Sequence, residues 1–177
     1  MPTGLKATSS PIQISSSVSE TGAGVFTSTQ IDLTLNPLDN EVFVITQVNI
    51  DVDAPDMPAA SGEQNFVSAS LSTTSRATVG GINNENVLAA AQRYMGAKNI
   101  NANNAASYQF DREDPNFVAQ DLDYLGIVAT NNMFLQVQGE GSSPITPKTA
   151  RCRVYGYRAT ASASVYAALV QSELLSA

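Results

Sequence analysis

The chain has 177 residues, and its hydrophobic content of 43% is sufficient for one domain with a packed core. Nine lysines and arginines against 16 aspartates and glutamates give a net charge of −7, which argues against binding of duplex nucleic acid, since that requires clustered cations. With no histidine and one cysteine, the chain lacks Ser-His-Asp or Cys-His catalysis, histidine-ligated zinc and an intramolecular disulfide. We therefore expect a structural protein, not an enzyme.

The N-terminal residues 1–25 are rich in serine, threonine and glycine, and they predict an arm or an edge strand around Ile12–Val18. Residues 26–177 are predicted to form a single β-sandwich domain. The start of the chain shows no basic segment followed by an apolar run, and no stretch approaches the roughly 18 apolar residues of a membrane span. Neither secretion nor membrane spanning is therefore expected from the sequence.

The clearest periodicity lies in residues 30–53. Apolar residues alternate with polar ones before and after a turn that contains Pro37. They are Ile31, Leu33 and Leu35, then Val42, Val44, Val48, Ile50 and Val52. A period of two is typical of strands with one buried face. The pattern predicts a hairpin whose second strand presents all five of its apolar side chains on the same face.

Later segments continue the strand pattern with one interruption. A third strand is predicted at 66–74, and a change of period over Asn83–Ala97 predicts a helix of about three turns. Further strands are predicted at 126–129, 133–139 and 150–160.

The segment from Ser162 to Ala177 fits either a helix or a strand. The elements show no alternation of strand and helix. They therefore predict a mainly antiparallel β-sandwich, a single jelly roll, with one inserted helix and a C-terminal helix as one of the two alternatives.

Three aspartates form the densest acidic cluster of the chain. Asp51 and Asp53 share one face of a predicted strand, and Asp56 follows in the next loop. Carboxylates placed in this way suit a hard cation such as calcium, although the spacing is not that of an EF-hand. The alternative is a solvated strand end, and no other cofactor is predicted.

A second acidic run could place paired carboxylates for glycoside hydrolysis, but no tryptophan accompanies it as a sugar platform. It comprises Asp111, Glu113, Asp114, Asp121 and Asp123. Gly80-Gly81 precedes the predicted helix but lacks the residues of a phosphate-binding loop, so we interpret it as a turn. Cys152 is interpreted as a small buried strand residue.

Four side chains on the late strand share one face because they lie at alternate positions. They are Arg151, Arg153, Tyr155 and Tyr157. Such a row could contact a nucleic-acid strand or another subunit. The acidic net charge favours pairing with another subunit or cross-strand stacking, so the row is predicted to be a subunit interface.

The strand count, the paired segments 30–53, the inserted helix and the neutral polar surface resemble small single jelly-roll coat proteins of icosahedral viruses. This resemblance implies a capsid subunit of the virion that assembles through its sandwich sides and terminal arms with copies of itself and with other virion proteins. Many such proteins carry a basic N-terminal arm, whereas Lys6 is the only cation here before Arg76. The alternative hypothesis is an extracellular or cell-surface β-sandwich module that binds carbohydrate or serves adhesion in a calcium-dependent manner.

Overall fold

The computed structural model describes residues 4–58, 60–101, 104–113, 123–142 and 144–175. These residues form ten strands, one α-helix and a short 3-10 turn at Pro37–Asp39. The strands are β1 (Leu5–Ala7), β2 (Ile12–Ser19), β3 (Thr27–Asp32), β4 (Glu41–Val52), β5 (Gln64–Ser72), β6 (Val87–Asn101), β7 (Asn104–Glu113), β8 (Gly126–Val128), β9 (Asn132–Gly141) and β10 (Thr149–Ala161), and the helix is α1 (Ala163–Leu175).

The strands form two antiparallel sheets that pack as a sandwich. In the first sheet the order is β2-β10-β4-β8, and β1 pairs with the far end of β10. In the second sheet the order is β3-β9-β5-β6-β7. The chain crosses repeatedly between the sheets, and without β1 and β7 this is the strand order of an eight-stranded jelly roll. The predicted antiparallel β-sandwich is thereby confirmed.

The core lies between the sheets and consists of apolar side chains from the inner faces of both. Its largest fully buried members are Phe43, Ile45, Leu71, Met133 and Leu135. Residues of β2 also reach this core, because Val18 is buried in it and Ile12 and Ile14 pack against it. The N-terminal strand β2 is therefore part of the sandwich edge.

A bulge divides β4 into two halves, and the positions that face the core in one half correspond to positions that face outward in the other. Tyr155 pairs with Gln47 and Gly156 pairs with Ile45, so Thr46 is an extra residue whose hydroxyl donates to the Tyr155 carbonyl at 3.1 Å. One extra residue reverses which positions face inward. The prediction of a single shared face is therefore wrong: Val48 and Val52 enter the core, whereas Val42 and Val44 face outward.

The predicted hairpin over residues 30–53 is also wrong, because its two strands belong to different sheets. Leu33 and Leu35 are buried beyond the end of β3, in a connection where Thr34 and Asn40 both have φ of 51°. The Asn36 side chain accepts a hydrogen bond from the Leu38 amide at 3.1 Å. The segment is thus an arch from one sheet to the other, and alternation alone does not distinguish an arch from a hairpin.

The predicted inserted helix at 83–97 is wrong, since Val87–Asn101 is strand β6. Its alternate residues Ala89 and Ala91 are buried in the core, and the strand pairs with β5 on one side and β7 on the other. Strand pairing and burial override the helical propensity of this alanine-rich segment.

The C-terminal segment is a helix, which settles the two alternatives left open by the sequence. Helix α1 covers the outer face of the first sheet, where Val165, Tyr166 and Leu169 pack against Val42 and Val44. No helix in the described part of the chain is long and apolar enough to cross a membrane.

Candidate assembly and binding surfaces

Asp56 holds two loops together at one end of the sandwich. Its carboxylate accepts hydrogen bonds from the amides of Ile145 and Thr146 at 2.8 and 3.0 Å and from the Lys148 ammonium at 2.8 Å. Partial burial opposes ionisation of Asp56, but the hydrogen bonds from Lys148, Thr146 and Ile145 together hold its pKa below the ordinary value. The loop after β4 is thereby fixed to the loop before β10.

Glu20 extends the same arrangement to a third loop. This carboxylate is buried and accepts hydrogen bonds from the Gly139 amide at 2.7 Å and the Lys148 amide at 2.8 Å. The loop after β2 is therefore tied to the same segment that Asp56 holds. Because buried charged groups are costly unless they are paired, this end of the molecule has one preferred geometry.

These three loops expose one large apolar side chain each. Val25 follows β2, Met57 follows β4 and Ile145 precedes β10, and their exposed fractions are 47%, 65% and 69%. We call these three residues the apolar tip. A rigid apolar surface at a loop end is suited to association, since little conformational entropy is lost when it is covered.

The structure does not assemble Asp51, Asp53 and Asp56 into a cation site. Arg151 approaches Asp53 at 2.8 Å and Asp51 at 3.8 Å, while Asp56 is occupied by Lys148. Burial tends to raise the pKa of Asp53, but the hydrogen bonds from Arg151 and the Thr149 amide lower it. Among the described residues no group of three or more His, Cys, Asp or Glu side chains could hold a metal ion.

Of the second acidic run, the structure describes the side chains of Asp111 and Asp123. Asp111 accepts a hydrogen bond from Arg93 at 3.0 Å, and Arg93 also lies 3.8 Å from Asp51. Residues 114–122 lie outside the described part of the chain. The described geometry thus gives Asp111 of β7 an ion pair with Arg93 of β6, and paired carboxylates for hydrolysis are not observed among the described residues.

The predicted interface row on β10 divides into two parts. Arg151 and Arg153 are exposed and Tyr155 is half-buried on the open part of the first sheet's outer face. Tyr157 lies in the apolar cluster beneath α1. In the open part Arg151 lies between Ser17 and Asp51 of the neighbouring strands, and Arg153 lies between Ser15 and Asn49. The role of this row as a subunit interface stays a prediction.

Cys152 is buried in the core, and burial raises the pKa of its thiol to about 11. Because the thiolate is the reactive form, we expect the native protein to react with a thiol reagent such as DTNB orders of magnitude more slowly than the denatured protein. Stopped-flow absorbance in native buffer and in guanidinium chloride measures both rates. Equal rates would mean that this part of β10 opens readily.

The outer face of the second sheet carries a buried polar network. Ser70 donates to the Gln136 side-chain oxygen at 2.6 Å, and the Gln136 amide nitrogen donates to Ser72 at 2.7 Å. The Gly80 amide donates to Ser70 at 3.0 Å, and Ser72 donates to the Thr74 carbonyl at 2.7 Å. This network holds the connection of residues 73–86 against the sheet.

A cavity of about 550 Å³ opens between this connection and the sheet. Its floor includes Phe66, Ser68 and Gln92, and residues 78–83 form one wall. Beside it lies an aromatic row, in which Phe66 pairs across strands with Tyr94 and Tyr94 pairs with Phe110. The ring centroids of Tyr94 and Phe110 lie 6.4 Å apart.

Sequence reasoning did not find this cavity or the aromatic row. The helix that the sequence predicts over 83–97 separates Tyr94 from Phe66, although the two share one face of the sheet. Gly80-Gly81 was interpreted as a turn, and both glycines belong to the cavity wall. The alternation of Gln92 and Tyr94 with the buried Ala91 was the available signal for a strand.

Comparison with known family models and with curated proteins gave no match. Among solved structures, the chain is similar to one from Desmodium yellow mottle tymovirus, with 10% sequence identity, 86% of this chain and 87% of that chain covered, and a TM-score of 0.29. A score this low carries no argument, so the fold rests on the observed strand order.

Proposed function

We propose that this protein is a virion coat subunit that assembles with copies of itself into a closed shell. The observation that carries the proposal is the apolar tip, in which Val25, Met57 and Ile145 are exposed on three loops at one end of the sandwich. Hydrogen bonds to the Glu20 and Asp56 carboxylates hold these loops in place. The jelly-roll strand order and the mostly neutral polar surface support the same reading.

The proposed mechanism is addition of weak contacts. Covering the tip against neighbouring copies buries three aliphatic side chains, and a closed arrangement gives each subunit several neighbours at once. The arginines of the β10 row, Arg151 and Arg153, would add contacts on the side of the sandwich. In this proposal the protein is not an enzyme and does not bind duplex nucleic acid, and other virion proteins are further partners.

Only part of the N-terminal segment can be exchanged between subunits as an arm. Val18 is buried in the core and Glu20 in the loop network, so removal of residues 1–20 would damage the fold itself. Of the described residues, the segment 4–11 before β2 is the part whose exchange between subunits is compatible with an intact sandwich.

We expect the purified protein to form rings or particles, and the variant Ile145→Asp to remain monomeric, because a carboxylate at the tip would be desolvated in each contact. Size-exclusion chromatography with light scattering and electron microscopy measure this. The matched control is Leu38→Asp at the opposite end of the sandwich, where Leu38 is 91% exposed. This control should assemble as the unmodified protein does.

Two results would contradict the proposal. One is that the unmodified protein stays monomeric at every concentration and salt level. The other is that Ile145→Asp assembles to the same extent as Leu38→Asp. Thermal unfolding of both variants separates loss of assembly from loss of folding, because Ile145 and Leu38 are exposed and neither substitution should change the melting temperature by more than a few degrees.

A further inference from the structure

The cavity on the outer face of the second sheet has a wall that is fixed before any ligand arrives. The Gly80 amide is bonded to the buried Ser70, which is bonded in turn to Gln136. At the base of the connection the Thr73 amide donates to the Asn86 carbonyl at 2.9 Å. A wall built on buried polar groups is preorganised, which lowers the cost of binding.

Two neighbouring rows of side chains cross the strands, one on the floor of the cavity and the other running from the cavity lining onto the sheet beside it. One row contains Gln138, Ser68 and Gln92, and Gln92 donates to the Ser68 hydroxyl at 3.0 Å. The other row contains Glu140, Phe66, Tyr94 and Phe110. Each row crosses neighbouring strands, and the row from Glu140 to Phe110 spans roughly 14 Å over three inter-strand steps.

The aromatic row continues onto exposed rings. Phe110 is 65% exposed and Tyr108 is 42% exposed, and their centroids lie 5.7 Å apart in an edge-to-face arrangement. Exposed rings next to amides and a carboxylate offer both apolar faces and hydrogen-bonding groups. Of the described residues that line the cavity, Glu140 alone carries a charge, so they provide no cation for an anionic ligand.

We propose that this face binds a neutral glycan chain. The C–H faces of pyranose rings would stack on Tyr94 and Phe110, while Gln92, Gln138 and Glu140 would hydrogen-bond the hydroxyls. The extent of the rows suits a short oligosaccharide that runs across the strands. This site is separate from the apolar tip, so it would be present whether or not the chain assembles into a shell.

The test is titration with four neutral hexasaccharides, cellohexaose, maltohexaose, xylohexaose and hexa-N-acetylchitohexaose, monitored by calorimetry and by amide chemical shifts. At least one should bind, with a dissociation constant on the order of 0.1 mM, and shift the amides of β5, β6 and β9. Phe110→Ala and Glu140→Gln should each weaken that binding about tenfold. Leu38→Ala and Ile145→Asp are the controls, and both should bind as the unmodified protein does.

Four outcomes would overturn the proposal. The first is that none of the neutral hexasaccharides binds at millimolar concentration. The second is that binding is unchanged in Phe110→Ala and Glu140→Gln. A sulfated heparin hexasaccharide could bind in their place, which would assign the face to anions. Finally, Phe110→Ala could dissociate an oligomer that binds no glycan, which would make this face a contact between copies of the chain.

Discussion

Replacing Asp56 with asparagine is expected to lower the free energy of unfolding at neutral pH by about 3 kcal/mol, because it leaves the Lys148 ammonium buried without its carboxylate. Lys148 is 6% exposed, and its ammonium lies 2.8 Å from Asp56. An asparagine also cannot accept all the hydrogen bonds that Ile145, Thr146 and Lys148 donate. Urea denaturation of Asp56→Asn and the unmodified protein measures the difference.

Asp51→Asn is the matched control, because the Asp51 side chain is 64% exposed and its arginine partners lie 3.8 Å away. It should cost less than about 1 kcal/mol. The double variant Asp56→Asn/Lys148→Met should recover part of the loss, since it removes the buried unpaired charge. Similar costs for Asp56→Asn and Asp51→Asn would show that the loop network contributes little to stability.

The effect of Asp56 should also depend on pH in one direction. Because its pKa is lowered in the folded state, the contribution is fully present above the ordinary carboxyl value of 3.8 and is lost as the pH falls through the lower folded value. The stability difference between the unmodified protein and Asp56→Asn should therefore shrink in acid. A difference that grows as the pH falls would contradict this assignment.

Replacing Gly156 with alanine is expected to lower the free energy of unfolding by about 3 kcal/mol or more. The new Cβ would overlap the Val44 carbonyl oxygen and would lie 2.8 Å from the Phe43 ring. Neither neighbour can move easily, since one is backbone of β4 next to its bulge and the other is a fully buried ring. Urea denaturation measures the loss.

Gly22→Ala is the control for this prediction. Its Cβ would make ordinary contact with Val25 at 3.4 Å, and Gly22 is not among the glycines with positive φ. The control should be neutral or stabilising by about 0.5 kcal/mol, because alanine reduces the entropy of the unfolded chain. If Gly156→Ala were as stable as Gly22→Ala, the sheet at the bulge would have to be more adaptable than its packing indicates.

Alternation of apolar and polar residues was sufficient to predict the sandwich and most of its strands, because a sheet with one buried face imposes a period of two. The pattern gave wrong predictions where a period of two does not determine which face is buried or which type of element forms. The bulge at Thr46 leaves no mark in the pattern, since Val42 and Val48 are both buried, one under α1 and the other in the core. The alanine-rich sequence of β6 favours a helix locally, but pairing with β5 and β7 makes this segment a strand.

The candidate surfaces were harder to predict, because they join residues that are distant in sequence. The sequence places Asp56 in an acidic cluster and suggests a metal cation as its partner, whereas the fold supplies the Lys148 ammonium from 92 residues away. The apolar tip has the same origin. Val25, Met57 and Ile145 are unremarkable in their own segments and become one surface because three loops meet.

The bulge in β4 gives one strand two separate apolar sides, one in the sandwich interior and the other beneath α1. Substitutions in the helix and substitutions in the interior therefore meet different sets of neighbours. The two sets are free to diverge independently, so the C-terminal segment can acquire new partners over evolution without any repacking of the jelly roll that supports it.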